Sequence, residues 1–410
     1  MSKLEKLTTS TKVEESAKLV VPSGSESDPF HKLAFFNPRM SFNRSVSSLA
    51  LGVLHELDEK FDEITLLDGL CATGARGARY VLENSFVKQV VFVDGNEHAL
   101  ELLEKNVKLN KLSKKAKWVH SEFNEFLENT EEQFDFLEID PFGTPAPFLK
   151  NALKKISFGK TAEKNAKAKG ANAIGKERSY GILSVTSTDL ASLCGKEPQK
   201  CIKNYSSKPM RCAFTHEIAL RILIGKIALD AAKLGLLAQP VFSFYNGHAV
   251  KTLCKISKQP KTGKKGKFAP TIGFVSLCRN CLLREWGGNK IEKCPECGSK
   301  MDYAGPLWLE ETSRKEFVDK MLEMLKKRNY SERKKIEKML LPLKEEIGLP
   351  PFFFDLHEIA GKLVTHAPKT AEVVEKLKKE GFEASFTHYS PVGVRTDAPL
   401  EEINKLYTAN

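Results

Sequence analysis

From residue 64 to residue 140 the chain alternates short β-rich runs with helical ones, and this alternation restricts the fold more than any other feature. ITLLDGL, VKQVVFVDGN, AKWVHS and FDFLEID read as strands, and ARGARYVLENS and EHALELLEKNVKLNKL as helices. Strands linked through helices lie parallel, so the pattern predicts a parallel sheet covered on both faces. YGILSVTSTD resumes the sheet, HEIALRILIGKIALDAAKLG is a long helix ending at Gly235, and AQPVFSFYNGHAVKTLCKIS reads as a closing hairpin turned at Asn246-Gly247. A helix over SSLALGVLHELDEK, with Ser45 as its cap, leads into the alternation.

Ligands of such sheets sit beyond the carboxyl ends of the strands. Two segments there carry chemistry. In LLDGLCATGARGARYVLE, Gly74 and Gly77 let the first strand turn closely into a helix whose N-terminus offers free N–H groups. Asp94 ends the next strand, 20 residues after Gly74, where an acid binds ribose hydroxyls. Ala72 breaks the G-x-G-x-x-G spacing, which disfavours a dinucleotide. S-adenosylmethionine, with a ribose but no pyrophosphate, suits the looser loop; the bland alternative is an ordinary strand–turn–helix.

The second segment is FDFLEIDPFGTP. A carboxylate (Asp140), a rigid proline (Pro141) and an aromatic (Phe142) follow an apolar strand. An exocyclic amine on a nucleobase is a poor nucleophile, because its lone pair is delocalised into the ring. A carboxylate and a fixed backbone carbonyl that accept its two N–H bonds favour a pyramidal nitrogen. Proline holds the carbonyl in place and the aromatic stacks on the base. The alternative is that Asp140 caps a turn and Phe142 is core.

In CRNCLLREWGGNKIEKCPECG twelve residues separate the pair Cys278 and Cys281 from the pair Cys294 and Cys297. Two C-x2-C pairs suit tetrahedral zinc, and four thiolates close its shell, so the metal is structural. The odd total of nine cysteines, without a signal-like leader, points to a reducing compartment, the cytoplasm. The most apolar helix carries Arg221, Lys226, Asp230 and Lys233, so it is no membrane span. A formal charge of +12 favours a polyanionic partner, nucleic acid above all.

The N-terminal segment FHKLAFFNPRMSFNRS interleaves aromatics with Arg39 and Arg44, and Arg39 is a candidate RNA contact. Residues 159–178 are a Lys/Ala/Gly run read as a mobile surface loop, and 258–267 a basic linker. Beyond 305, charged amphipathic helices lead to EASFTHYSPVGVRT, a hairpin or wing in which Arg395 is a candidate phosphate contact.

Together FFNPRMSFNRS, LDGLCATGARGARY, FVDGN, EIDPFGTP, SVTSTD with LCG, HEIALRILIG, GPLWLE and THYSPVGVRT resemble the tRNA guanine-26 N2-dimethyltransferase family over nearly the whole chain. The resemblance implies a class I methyltransferase core: an α/β, doubly wound, mostly parallel sheet with a zinc-binding module and an α+β C-terminal domain. It implies S-adenosylmethionine as methyl donor and tRNA as substrate. Matched by motif, Arg44, Arg76 and Asp94 fall on cofactor positions, and Glu122-Phe123 stands where many members have Asp-Ala. Asp140 falls on the catalytic acid, and Phe142 and Phe35 on aromatics that hold the guanine. The expected division is an N-terminal arm (1–45), the methyltransferase domain (46–257), the linker and zinc module (258–304) and a tRNA-binding domain (305–410), acting as a monomer. Two other readings stay open: an adenine N6 methyltransferase, whose motif would more typically carry a second proline at the place of Phe142, and a non-catalytic zinc-ribbon RNA-binding protein, which the acids Asp94 and Asp140 disfavour.

Overall fold

The computed structural model describes residues 8–25, 27, 28, 33–159, 178–259 and 271–408. The Lys-rich run and the basic linker lie, but for their ends, outside these residues. The chain opens with an antiparallel hairpin, β1 (Thr9–Glu14) and β2 (Ala17–Pro22). The sequence alone gave no sign of it. Side-chain amides of the helix Glu97–Leu109 and its cap act as a further strand edge: Asn106 accepts from the Val20 N–H at 2.6 Å and Asn110 from that of Lys18 at 2.9 Å.

The main sheet contains β3 (Ile64–Gly69), β4 (Val87–Asp94), β5 (Ala116–His120), β6 (Phe136–Ile139), β7 (Tyr180–Ser187), β8 (Leu236–Tyr245) and β9 (Val250–Lys258). Their order is β5-β4-β3-β6-β7-β9-β8, with β9 antiparallel to both neighbours and the other pairings parallel. The expected doubly wound, mostly parallel sheet is present, and so is the hairpin at Asn246-Gly247. Two large apolar clusters cover its faces. β6 feeds both, through Leu137 and Ile139 on one side and Phe136 on the other.

The helix Ser41–Leu57 begins four residues before the expected cap. A 3-10 turn at Pro38–Met40, capped by the Asn37 side chain, starts it instead. Ser45 is buried and its hydroxyl accepts from Arg79 at 2.9 Å. The helix Thr215–Lys233 is buried along most of its length, and its charges are paired within it, Arg221 with Glu217 at 2.9 Å and Lys226 with Asp230 at 2.8 Å. Among the described residues no helix is long and apolar enough to cross a membrane.

The cysteine-bearing segment is a three-stranded antiparallel sheet of β10 (Ile272–Cys278), β11 (Arg284–Gly287) and β12 (Met301–Trp308), ordered β11-β10-β12. β12 runs past the expected boundary at 304 and lies against the long helix, where a Cβ on Gly225 would come within 3.2 Å of the Leu307 backbone. Helices Lys315–Lys327 and Arg333–Glu346 bury Phe317, Met321, Ile336 and Leu340 in the same apolar cluster as Phe42 and Val46. The remainder packs mostly around a separate apolar cluster, which Leu282 of the cysteine-bearing segment joins. It combines β13 (Phe354–Asp355), β14 (Ala384–Thr387) and β15 (Ser390–Thr396) with helices Leu356–Leu363, Thr370–Lys379 and Leu400–Thr408.

Candidate active site and zinc site

The chain leaves β3 toward β4 on one side, while β6 occupies the other, so the sheet reverses its order between β3 and β6. A cleft of about 810 Å³ opens at the carboxyl ends there, as the rule for such sheets requires. The N-terminal segment gives it Phe35, Arg39 and Arg44; the first two strand ends give Ala72 and Asp94; the loop after β6 gives Asp140, Pro141 and Phe142. Three segments far apart in sequence, each singled out from its residues, thus meet in one place.

The loop after β6 is tied to the end of β7. The Gly143 N–H donates to the Thr188 hydroxyl at 2.8 Å, and the Thr188 N–H returns a bond to the Gly143 carbonyl at 3.1 Å. Gly143 has φ 85°, a left-handed conformation that lets the chain turn after Phe142. Phe142 is 62% exposed, and its ring meets that of Phe35 edge-on, with centroids 4.1 Å apart.

Asp140 is anchored through Oδ2 to the buried guanidinium of Arg76. Its other oxygen makes no hydrogen bond among the described residues, and Asp140 lines the cleft. Arg76 is held in turn by Asn43 Oδ1 at 3.0 Å and Ser47 Oγ at 2.9 Å, with Glu138 Oε1 at 4.0 Å. Glu138, fully buried on β6, accepts from Lys251 at 2.5 Å and Tyr80 at 2.7 Å. Burial opposes the charge on Arg76, but Asp140 and Glu138 outweigh it and raise its pKa. Burial pushes the carboxyl of Asp68 up to about 7, with Arg76 opposing, and Asp68 accepts from the Gly77 N–H at 2.9 Å. Expected as a cofactor contact, Arg76 here lies beneath the acid and holds it.

Asp94 spends both oxygens on backbone, accepting from Ala72 N–H at 2.7 Å and Asn96 N–H at 2.9 Å; this fixes the carboxylate at the cleft wall. Arg44 donates from Nε to Glu14 at 2.7 Å and from Nη2 to Glu14 and, at 3.2 Å, the Asn37 carbonyl. Nη1 has no hydrogen-bond partner among the described residues. Glu14 also meets Arg79 at 3.0 Å; burial disfavours its charge, but the two arginines outweigh that and lower its pKa.

Besides Arg76, three expected cofactor residues do not line the cleft. Gly74, at φ 72°, faces the core, where an added Cβ would lie 2.1 Å from Leu103. Phe123 is 1% exposed and packs over Gly69 and on Phe148 at 5.5 Å. Its position follows from a helix that starts directly after Glu122, turning the first side chain inward. Glu122 is exposed beside Gly95, where a Cβ would come within 2.7 Å of its Oε1. Asn37, Thr188 and His248 also line the cleft and were not singled out. SVTSTD, ending a strand, and Asn-Gly-His, closing a hairpin over the same sheet end, were the available signals.

Cys278, Cys281, Cys294 and Cys297 converge, with all four sulfurs within 4.8 Å of one another. Cys278 Sγ and Cys297 Sγ are 3.4 Å apart, and Cys281 Sγ and Cys294 Sγ 3.6 Å. Tetrahedral zinc with Zn–S bonds of about 2.3 Å sets its sulfurs about 3.8 Å apart, so the geometry fits that ion.

Arg395 corrects an expectation. It is 4% exposed and faces inward, bonded to Glu217 at 2.9 Å, Glu346 at 3.1 Å and the Pro350 carbonyl at 3.0 Å. Its position on β15 aims the side chain at the long helix, so it faces no phosphate. The nearby acid Asp397 accepts from the Glu383 N–H at 2.9 Å.

A seven-stranded sheet of this order, with a cleft at its switch point and acids after β4 and β6, defines a class I S-adenosylmethionine-dependent methyltransferase. The family model for N2,N2-dimethylguanosine tRNA methyltransferase matches residues 10–161 and 171–408, and the chain belongs to that family. It is 34% identical over 376 residues to the tRNA (guanine(26)-N(2))-dimethyltransferase of Methanobrevibacter smithii, covering 91% of this chain and 90% of that one. It is 31% identical over 395 residues to the tRNA (guanine(26)-N(2)/guanine(27)-N(2))-dimethyltransferase of Aquifex aeolicus, covering 95% and 93%. Trm1 of Pyrococcus horikoshii, solved in complex with S-adenosyl-L-methionine, matches with a TM-score of 0.81 at 28% identity over 97% of this chain and 99% of that one.

Proposed function

We propose that this chain transfers methyl groups from S-adenosylmethionine to the exocyclic N2 of guanine 26 in tRNA, forming N2-methyl- and then N2,N2-dimethylguanosine. The observation that carries the reading is Asp140: one carboxylate oxygen is clamped by Arg76, and the other, at the rim of the cleft, has no hydrogen-bond partner among the described residues. When bound, S-adenosylmethionine supplies an activated methyl group. Asp94 would hold its ribose and Arg44 its carboxylate, with Glu122 near the adenine. Asp140 and the Pro141 carbonyl accept the two N–H bonds of the amine and draw its lone pair out of the ring. The proton that N2 sheds as it takes the methyl group, whose bond to sulfur breaks with the electron pair left on sulfur, would go to Asp140. Phe35 and Phe142 hold the guanine once it has swung out of its stack, and their edge-on contact has to part to admit it. Arg39, exposed at the rim, would meet the RNA backbone.

The four thiolates would hold one structural zinc that fixes β10–β12. Residues 305–410 would add tRNA contacts, with Arg395 serving the packing of that region. We place the protein in the cytoplasm as a monomer. The test is to incubate it with labelled S-adenosylmethionine and unmodified tRNA transcripts, then map the product nucleoside by mass spectrometry. The reading requires label on N2 of guanine 26, and its loss when that guanine is replaced by adenine. Label on an adenine N6 would support the alternative.

A further inference from the structure

A second cavity of about 550 Å³ adjoins the cleft on the far side of the short helix Leu190–Leu193. Ala191 lines both spaces. We propose that this cavity binds the RNA phosphodiester backbone that runs past the cleft next to the target guanosine; the proposal rests on the RNA-methylating reading above.

The first support is charge. Lys196 and Arg211 line the cavity, both are exposed, and neither makes an ion pair among the described residues. Their neighbours differ: Lys200 pairs with Glu197 at 2.7 Å and Arg279 with Asp302 at 3.0 Å. Among the described residues no carboxylate lines the space. Asp189 lines the cleft on the other side of the helix and accepts there from Ser192 at 2.7 Å. A concave surface with two uncompensated cations and no acid attracts an anion.

The second support is that one cation is built into place. Gly195 has φ 84°, and an added Cβ would lie 3.1 Å from Arg211 Cγ. The arginine stem therefore runs across bare backbone, which limits where its guanidinium can go. Thr215 holds the two segments together by donating to the Met210 carbonyl at 3.0 Å and the Cys194 carbonyl at 3.2 Å. The third support is a ring pair: His216 lines the cavity and stacks on Tyr245 with centroids 4.1 Å apart and planes 13° from parallel. Burial lowers the His216 pKa, so the imidazole is neutral at pH 7, and its Nε2 lies 3.1 Å from the Tyr245 hydroxyl, which fixes the ring in the cavity wall. Free phosphate would need no such surface and no shared wall with the cleft; a polymer threading a base into the cleft needs both.

The test uses the full chain with both cations removed, Lys196→Ala with Arg211→Ala. Each phosphate contact contributes about 0.7–0.9 to the slope of log affinity against log salt. Two contacts thus flatten the slope by about 1.4–1.8 and weaken tRNA binding about 25–60-fold at 0.1 M salt. Affinity for S-adenosylmethionine, measured by calorimetry, stays as in wild type. Lys200→Ala, whose lysine is paired outside the cavity, should change neither quantity. A double variant with wild-type tRNA affinity and slope overturns the proposal while wild type still methylates guanine in tRNA. Wild type that binds tRNA but methylates no guanine removes the reading on which it rests.

Discussion

Arg395→Met removes a guanidinium from between two buried carboxylates and leaves the surface unchanged. The lost bonds are those to Glu217 at 2.9 Å, Glu346 at 3.1 Å and the Pro350 carbonyl at 3.0 Å. Breaking a buried pair by removing one partner costs about 3–5 kcal/mol, because a charge is left uncompensated. Here Glu217 keeps Arg221 at 2.9 Å and Glu346 keeps His388, which places the expected loss at the lower end, about 3 kcal/mol. With an unfolding entropy of about 2.1 cal/mol/K per residue, that lowers the melting temperature of a chain this long by about 3–4 °C if it unfolds as one unit. The pH dependence should change as well. The pKa of Glu217 is lowered to about 2: burial raises it, but Arg395 and Arg221 outweigh burial. An acid whose folded pKa lies below its unfolded value stabilises fully above the unfolded value, and that stability disappears as pH falls toward 2. Without Arg395 the folded pKa moves up toward the unfolded value, so the stability lost on acidification should be smaller than in wild type. The assay is thermal unfolding between pH 3 and 8, alongside tRNA affinity against salt. A variant that melts within 1 °C of wild type but binds tRNA with a flatter salt slope would refute the inward-facing assignment.

Elemental analysis should find one zinc ion per chain in wild type, and Cys294→Ser should lose it and melt at a lower temperature, since metal binding in such sites is folding energy; an unchanged melting temperature contradicts the structural role. Burial raises the folded pKa of Asp68 to about 7, above its ordinary value of 3.8, so its contribution to stability is full below 3.8 and lost as pH rises through 7. Asp68→Asn keeps an acceptor for the Gly77 N–H but does not ionise, so its melting temperature relative to wild type should rise between pH 5 and pH 8, and a difference flat in pH contradicts this. Glu14→Gln loosens the grip on Arg44, which lines the cleft. It should weaken S-adenosylmethionine about tenfold, the loss of one charge-assisted bond, and leave methylthioadenosine, which lacks the carboxylate, unaffected; equal weakening of both would mean a general loss of fold.

The sheet was legible because strand–helix alternation is a local pattern with one common solution, and Asp94 and Asp140 were legible because they end strands of that sheet. What lay under them was not. Glu138 sits within an apolar strand, and Lys251 within another 113 residues away, so neither advertises a buried charge network until β6 and β9 are placed across β7. The same limit explains Arg395: a basic residue in a terminal hairpin looks like an exposed contact unless the two glutamates it meets, 178 and 49 residues earlier, are known to face it. Phe123 was misjudged because position after a strand says which end of the sheet a residue occupies, not which way its side chain turns. The hairpin Thr9–Pro22 is short and charged, and its partners are two asparagines on a helix, a pairing without a sequence signature.

The central claim is that Asp140 stabilises the charge that develops on the guanine amine. Asp140→Asn keeps the side-chain volume, one acceptor oxygen and the rest of the Arg76 cradle. Removing such a preorganised group costs about 10²–10³ in rate, roughly 3–4 kcal/mol. The decisive measurement is single-turnover methyl transfer to unmodified tRNA at saturating concentration, with S-adenosylmethionine affinity determined on the same protein. The account predicts a folded variant that binds the cofactor as wild type does and transfers methyl to guanine N2 at least about a hundredfold more slowly; transfer at the wild-type rate would contradict it and reduce Asp140 to a partner of Arg76.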